Sequence, residues 1–256
     1  MYKKLALVII ILLIPFTFAE PTSPKKVITN SIDMKFVLIP AGTFTMGSSL
    51  DEPGRNDDEK QHEVRISKPF YLQATEVSQG QWKKVMGDNP SKFKNCGDDC
   101  PVENVYWEDA QKFIRKLNQM ESTNKFRLPT EAEWEYACRA GTETAYSFGD
   151  KMDKLGEYGW YLDNSERLTH PGGEKKPNAW GLYDMHGNVQ EWCQDWYGDY
   201  SSNLVIDPKG PDKGYQRVLR GGSWSSSPRL VRSGLRSRSS PRHRINTRGF
   251  RVARDL

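Results

Sequence analysis

Four cysteines carry the most reactive side chains in this sequence: Cys96, Cys100, Cys138 and Cys193. Cysteines pair as disulfides in oxidising compartments and more often bind metals or react in reducing ones. An even number in an exported chain favours two bridges. Cys96 and Cys100 bound a tight loop that one bridge could close, which leaves Cys138 to pair with Cys193. A metal site is the alternative, although the sequence has no second pair of closely spaced cysteines.

The N-terminal residues predict the compartment. Lys3 and Lys4 precede a short apolar run over residues 5–14, and a small-x-small cleavage site ends at Ala19. This pattern is typical of a secretory signal peptide over residues 1–19, followed by a linker over residues 20–30. An uncleaved anchor is the alternative, but the run is shorter than the ~20 residues that span a bilayer. We therefore predict a periplasmic or extracellular protein, monomeric, with no membrane span after cleavage.

The histidines offer no metal-binding pattern. They are His62, His170, His186 and His243, and no two of them have the spacing of paired ligands. We therefore expect loop or surface histidines and not metal ligands.

Charge is unevenly distributed along the chain. From Arg217 onward there are eleven arginines, no lysine and one acid, Asp255, so this segment carries +10 while the whole chain carries +4. A basic segment can indicate a nucleic-acid partner. Here the arginines alternate with glycine, serine and apolar residues, and arginine forms bidentate pairs with carboxylates. The acidic remainder of the chain is expected to supply those carboxylates, and we predict no nucleic-acid binding.

Three helices are predicted by their capping residues and periodicity. Ser78 and Gln81 form a capping box for a helix that Gly87 ends. Thr130 and Glu133 do the same for a helix that Gly141 ends. Between them a helix over residues 107–120 has one apolar stripe, made of Ala110, Phe113, Ile114 and Leu117.

The remaining residues favour short strands and loops. Residues 34–48 alternate around a Pro-Ala-Gly turn and predict a β-hairpin, and residues 51–63 form an acidic loop. No internal repeat and no second apolar core are evident. A chain of 256 residues, 36% hydrophobic and 27% charged, suits one globular domain. We predict a single α+β domain over residues 31–254 with little regular secondary structure.

Six motifs in order suggest a family. They are LIPAGTFTMGS, EVSQGQW, CPVENVYWEDAQKF, RLPTEAEWEYACRAG, GLYDMHGNVQEW and RGGSW…GFRVAR. Together they closely resemble the formylglycine-generating enzyme family, also called the sulfatase-modifying-factor domain. The resemblance implies a variant of the C-type lectin fold. It also implies an oxidase that converts a sulfatase cysteine to formylglycine with a copper-binding pair of cysteines.

That cysteine pair is missing from this sequence. No cysteine follows Cys193, and Ser225, Ser226 and Ser227 occupy the region where the first of the pair would lie. Copper(I) requires soft thiolate ligands, and a serine hydroxyl does not ionise near neutral pH. We therefore assign no catalytic residue and expect no copper and no formylglycine-generating activity.

One metal site is implied by the same resemblance. Asp184, Gly187, Val189 and Glu191 match the family's calcium-binding turn, with two side-chain oxygens and two backbone carbonyls as ligands. Oxygen ligands suit calcium. We expect one structural calcium ion. The alternative is that Gly187 and Asn188 only form a turn and that Glu191 pairs with an arginine.

The segment 217–253 has a second resemblance, to the variable region of target proteins of diversity-generating retroelements. This resemblance implies a fixed frame: Arg220, Gly221, Gly222, Ser223, Trp224, Arg232, Arg236, Gly249, Phe250 and Arg251. It also implies exposed, ligand-contacting positions that vary: Ser225, Ser226, Ser227, Leu230, Leu235, Ser237, Ser239, Ser240, His243, Ile245, Asn246 and Thr247. Loops on a rigid scaffold are a natural place for recognition. A fixed loop without diversification is the alternative.

These observations predict a ligand-binding or surface-display protein whose partner is an unknown protein or cell-surface ligand. A divergent oxidase or maturation enzyme on the same fold is the second hypothesis. A lectin that binds carbohydrate directly through calcium is the third.

Overall fold

A computed structural model describes residues 26–256, so the predicted signal peptide lies outside the described residues. The strands are β1 Val27–Thr29, β2 Lys35–Ile39, β3 Gly42–Met46, β4 His62–Ile66, β5 Phe70–Gln73, β6 Phe126–Arg127, β7 Gln190–Trp196, β8 Val205–Ile206, β9 Arg217–Arg220, β10 Ser237–Ser239, β11 Arg248–Gly249 and β12 Ala253–Asp255. The helices are α1 Gln79–Met86, α2 Trp107–Met120, α3 Glu131–Arg139 and α4 Leu155–Tyr158, with 3-10 turns at Lys94–Cys96, Met152–Lys154 and Pro228–Val231.

Three sheets form the β structure. The largest has the order β1-β2-β5-β12-β6, so the last strand of the chain lies between two earlier ones. The second has the order β10-β9-β7-β11 and carries the C-terminal segment, and the third has the order β3-β4-β8. With four helices among these strands, the predicted α+β class is confirmed.

All three predicted helices form: α1 and α3 begin where their capping residues place them, and α2 spans the residues that its apolar stripe predicts. The Ser78 hydroxyl accepts the Gln81 amide at 3.2 Å, and the Gln81 side chain accepts the Ser78 amide at 3.1 Å. Thr130 and Glu133 make the same reciprocal pair. The third helix ends one residue earlier than predicted, because Ala140 already adopts the left-handed conformation. The predicted stripe of α2 is buried.

The predicted hairpin is wrong, although both of its strands exist. β2 pairs with β1 on one side and with β5 on the other, so neither of its edges is free. β3 pairs instead with β4 in another sheet. The Pro40-Ala41 turn therefore connects two sheets and not two neighbours in one sheet.

The predicted linker over residues 20–30 is also too long. Val27–Thr29 form β1 and pair antiparallel with Lys35–Val37. The folded domain therefore begins before residue 31. Among residues 26–256 no helix combines the length and the apolar composition that crossing a bilayer requires.

Candidate binding face of the C-terminal segment

Four arginines of the C-terminal segment lie in the interior, each against a carboxylate. The pairs are Arg220 with Glu131 and Glu135, Arg232 with Glu52 and Glu59, Arg236 with Glu131, and Arg251 with Glu191. All four arginine side chains are at most 1% exposed. Buried charges persist only when they are paired and hydrogen-bonded. The prediction of internal carboxylate partners is therefore confirmed for these four residues.

Helix α3 supplies two of the carboxylates. Glu131 and Glu135 are four residues apart and therefore lie on one face of the helix. Arg236 holds both oxygens of Glu131, at 2.8 and 2.9 Å. Arg220 donates to Glu135 and to the Ser233 carbonyl at 2.8 Å. The helix thus fixes β9 and the chain that follows it.

The acidic loop before β4 holds the next arginine. Arg232 forms two hydrogen bonds with Glu59, at 2.8 and 2.9 Å, and a further one with Glu52. Its guanidinium also donates to the Gly54 carbonyl at 2.7 Å. Three residues of this loop thus bind Arg232, and their contacts fix the 3-10 turn Pro228–Val231 that immediately precedes this arginine.

Exposure separates the predicted frame from the predicted contact positions. Every frame residue is buried except Trp224, which is half-buried. Of the contact positions, those that keep exposed or half-exposed side chains are Ser225, Ser226, Ser227, Leu230, Ser237, Ser240, His243, Ile245, Asn246 and Thr247. We call these positions the C-terminal face.

Two predicted contact residues are corrected by their burial. Leu235 is 5% exposed because it lies between the paired arginines Arg232 and Arg236 in the interior. Ser239 is also 5% exposed, and its hydroxyl accepts a hydrogen bond from Arg248 at 2.9 Å. Neither side chain is accessible to a partner.

Hydrogen bonds to backbone carbonyls hold the turns of the face in place. The Trp224 indole donates to the Asn246 carbonyl at 3.0 Å, so the 225–227 and 245–247 turns lie side by side. The Ser226 carbonyl accepts from Leu162 at 3.0 Å, and the Thr247 carbonyl accepts from Gln190 at 2.8 Å. The side chains can therefore change without loss of these contacts.

Two residues beside the face were missed by the sequence analysis. Leu162 and Leu168 are 44% and 45% exposed. Leu162 bonds to Ser226, and the Ser165 hydroxyl nearby bonds to the Trp224 carbonyl at 2.7 Å. Isolated leucines in the polar stretch 161–170 were the only available signal. Both are exposed apolar side chains of a loop that is hydrogen-bonded to the 224–226 turn.

Hydroxyl groups occupy the start of the segment. Ser223 Oγ lies 3.1 Å from Ser225 Oγ and 3.3 Å from Ser226 Oγ. The Ser226 hydroxyl also accepts the Ser223 amide at 3.0 Å. These groups donate and accept hydrogen bonds, but they supply no thiolate for copper.

The cysteines form one bridge and not two. Cys96 and Cys100 are joined, as predicted. The predicted bridge between Cys138 and Cys193 is wrong, since both are free and buried. The Cys138 sulfur lies near Ser233 and the Met185 carbonyl, whereas that of Cys193 contacts the Glu191 carbonyl. Burial raises the pKa of the Cys138 thiol to about 12, so this thiol is unreactive.

We expect the native protein to show no reactive thiol. Ellman's reagent should detect none in buffer, two after denaturation and four after denaturation with a reductant, because only Cys96–Cys100 is a disulfide. The mutant Cys138→Ala should lower each of the last two values by one. Detection of no thiol in the denatured, unreduced protein would contradict this assignment.

Two of the histidines predicted to lie in loops or at the surface are buried. His62 and His186 have 7% and 1% exposure. His186 Nδ1 lies 2.8 Å from the Val231 carbonyl, and Nε2 receives the Ser147 amide at 3.1 Å. The amide can donate only to an unprotonated nitrogen, so the ring is neutral with its proton on Nδ1. Burial lowers the pKa of His186 to about 4.

This histidine makes stability depend on pH. Between about pH 4 and 6.5 the unfolded chain binds a proton on His186 that the folded protein does not bind. The free energy of unfolding therefore falls as the pH falls through this range, by up to about 3 kcal/mol from this group. We compare the wild type with His186→Asn, whose side-chain amide can still donate to the Val231 carbonyl but does not titrate. Urea denaturation at several pH values should show the free energy of unfolding of the wild type falling relative to that of the variant as the pH falls. A pH-independent difference would refute the effect.

The predicted calcium turn fits a cation only in part. Asp184 is buried, with one oxygen bound to the Gly173 amide at 2.8 Å and the other without a partner. The Glu191 carboxylate, in contrast, is held by two nitrogens of Arg251 at 2.6 and 2.7 Å and by the Trp134 indole at 2.9 Å. Within residues 26–256 no three side chains of His, Cys, Asp or Glu are grouped closely enough to hold a metal. Asp184 suits the ion, whereas Glu191 is already neutralised.

Comparison with known sequences places this fold in a family. Residues 22–256 match the family described as Sulfatase-modifying factor enzyme 1-like domain. The chain belongs to this family, as its ordered motifs predicted.

Similar proteins have different names. The chain is 32% identical over 267 residues to the serine/threonine-protein kinase pkn1 of Chlamydia pneumoniae, covering 93% of this chain and only 40% of that protein. It is 30% identical over 288 residues to the formylglycine-generating enzyme of Bos taurus, covering 86% of this chain and 75% of the enzyme.

Two solved structures share this fold over more than 90% of the chain. Treponema denticola variable protein 1 superposes with a TM-score of 0.84 at 33% identity, covering 92% of this chain and all of that one. PvdO from Pseudomonas aeruginosa superposes with a TM-score of 0.79 at 30% identity, covering 91% of this chain and 99% of that one. The resemblance to a variable protein therefore extends over almost the whole folded chain.

Proposed function

We propose that this chain is an exported binding protein that recognises a partner through its C-terminal face, and that the side chains of this face are diversified. The similarity to a protein named as variable supports the diversification. The disulfide between Cys96 and Cys100 supports an oxidising compartment and hence export.

One observation carries the proposal: the segment buries four of its arginines and exposes Leu230 among them. Arg220 and Arg232 are 1% exposed, whereas Leu230 between them is 40% exposed. Proteins ordinarily show the opposite preference. Arginines that bind carboxylates fix the backbone, so the exposed side chain of Leu230 is not needed for packing, whereas Val231 and Leu235 on either side of Arg232 remain buried. Small polar residues with a few apolar ones provide an adaptable contact surface.

The DNA flanking the gene tests the diversification. We expect a second copy of the segment encoding residues 217–253 near a reverse transcriptase gene, with differences only at adenines. The changed codons should be those of the C-terminal face, and the codons of the frame should be unchanged. Absence of such a copy, or differences spread over the frame codons, would mean that the segment is a fixed loop.

A divergent oxidase is the second candidate, because the chain shares 30% identity with a formylglycine-generating enzyme. Oxygen uptake with a cysteine-containing sulfatase peptide, with and without added copper, separates the two functions. The binding protein should consume no oxygen above the buffer rate. Thiol-dependent uptake that saturates with the peptide would favour the oxidase.

A further inference from the structure

Two buried carboxylates beside the predicted calcium turn lack hydrogen-bond partners. Glu76 is 2% exposed, and neither of its side-chain oxygens has a partner. Asp184 is 1% exposed, and one of its oxygens is also unpartnered. An unpaired buried carboxylate is costly. Glu76 was not among the residues that the sequence motif indicated.

The backbone brings these two side chains together. The Tyr183 amide donates to the Ala74 carbonyl at 2.8 Å, so the residue before Asp184 lies beside the residue two positions before Glu76. Arg251 bridges the same two segments by donating to the Ala74 carbonyl at 3.3 Å and to the Tyr183 carbonyl at 2.9 Å. Burial raises the pKa of Glu76 well above its ordinary value, and the charge of Asp184 adds to this rise.

The charges of this cluster do not balance. Three carboxylates, Glu76, Asp184 and Glu191, surround the single cation Arg251, and Arg251 is bound to Glu191 through two nitrogens. The neighbouring Lys175 donates to the Gly156 carbonyl at 2.7 Å and lies over the Trp160 ring, and the exposed Glu174 offsets its charge. The fully ionised cluster therefore carries two uncompensated negative charges in the interior.

We propose that a calcium ion binds between Glu76 and Asp184, and that Glu191 serves to hold Arg251 and not the ion. A divalent cation neutralises the two excess charges. It also satisfies all three unpartnered oxygens with ligands of the kind that calcium prefers. Backbone carbonyls or water complete the coordination. The inference does not depend on the proposed binding function, because it concerns the interior of the domain.

Calcium titration of protein stripped with EDTA tests this site. We expect saturable binding by isothermal titration calorimetry, with one ion per chain. At a calcium concentration about 100-fold above the Kd, the Tm should rise by roughly 5 °C or more. Glu76→Gln and Asp184→Asn should each weaken binding at least tenfold. In EDTA neither variant should melt below the wild type, because each removes an uncompensated buried charge, and the asparagine oxygen at position 184 can still accept the Gly173 amide.

The control is Glu103→Gln, which changes another buried glutamate with an unpartnered oxygen but in a different cluster. It should leave calcium affinity unchanged. Equal calcium affinity in the wild type and Glu76→Gln would show that Glu76 is not a ligand and would contradict the proposal. If millimolar calcium neither binds nor shifts the Tm of the wild type, the proposal is wrong, and the two carboxyls are instead kept neutral by protons.

Discussion

Replacing Arg220 with methionine should destabilise the protein by about 2–4 kcal/mol, because the buried carboxylate of Glu135 loses one of its two arginine partners and keeps only Arg139. Arg220 and Glu135 are both fully buried. The same guanidinium also satisfies the Ser233 carbonyl, and that buried acceptor would lose its donor. Methionine fills a similar volume, so the loss would come from charge and hydrogen bonding and not from a cavity.

Urea denaturation of Arg220→Met and of a matched control measures this effect. The control is Arg242→Met, which makes the same substitution at an exposed position of the same segment without an ion pair. The control should unfold at nearly the wild-type midpoint. Similar midpoints for both variants would refute the view that buried ion pairs anchor the segment.

Replacing Gly187 with alanine should cost about 3–5 kcal/mol and lower the Tm by roughly 10 °C. Gly187 has a φ of 142°, which residues with a side chain rarely adopt. An added methyl group would also overlap the backbone carbonyl of Trp160. Residues 159–160 and 186–187 are two backbone segments in close contact. Because backbone cannot move aside as a flexible side chain can, these two segments would have to separate.

Gly156→Ala is the control for this substitution. Its added methyl would meet only the Asn164 amide nitrogen at 3.7 Å, an ordinary contact, and its φ is not positive. Alanine also favours the helix α4 in which Gly156 lies. Differential scanning calorimetry should therefore find Gly156→Ala at or slightly above the wild-type Tm. A decrease in Tm of only a few degrees for Gly187→Ala would show that these two backbone segments can separate at little cost, contrary to this prediction.

Features with local causes were predictable from the sequence. Ser78 and Thr130 set the starts of two helices because a capping box involves only residues three positions apart. The burial of arginine followed from the opposite charges of the two parts of the chain. The identity of the partners did not follow, because Glu131 and Glu135 are some 85 to 105 residues away in the sequence from the arginines that they bind.

Features that depend on distant residues were not predictable in this way. The alternation in residues 34–48 identified two strands, but the choice of partner depends on which neighbours already occupy β2. Pairing Cys138 with Cys193 followed only from counting cysteines, whereas a bridge requires that both sulfurs point at each other. Glu76 went unnoticed because the EVSQGQW motif that it begins indicated the family and a helix start but no ligand.

The central claim is that a buried arginine frame holds a face whose side chains are replaceable. Two displayed libraries and limited proteolysis test it most directly. One library randomises nine positions of the C-terminal face, and the other randomises the nine buried frame positions, which include Arg220, Arg232 and Arg236. We expect most members of the face library to resist protease as the wild type does, and most members of the frame library to be cleaved. Equal loss of resistance in both libraries would show that the face is part of the packed structure, contrary to this account.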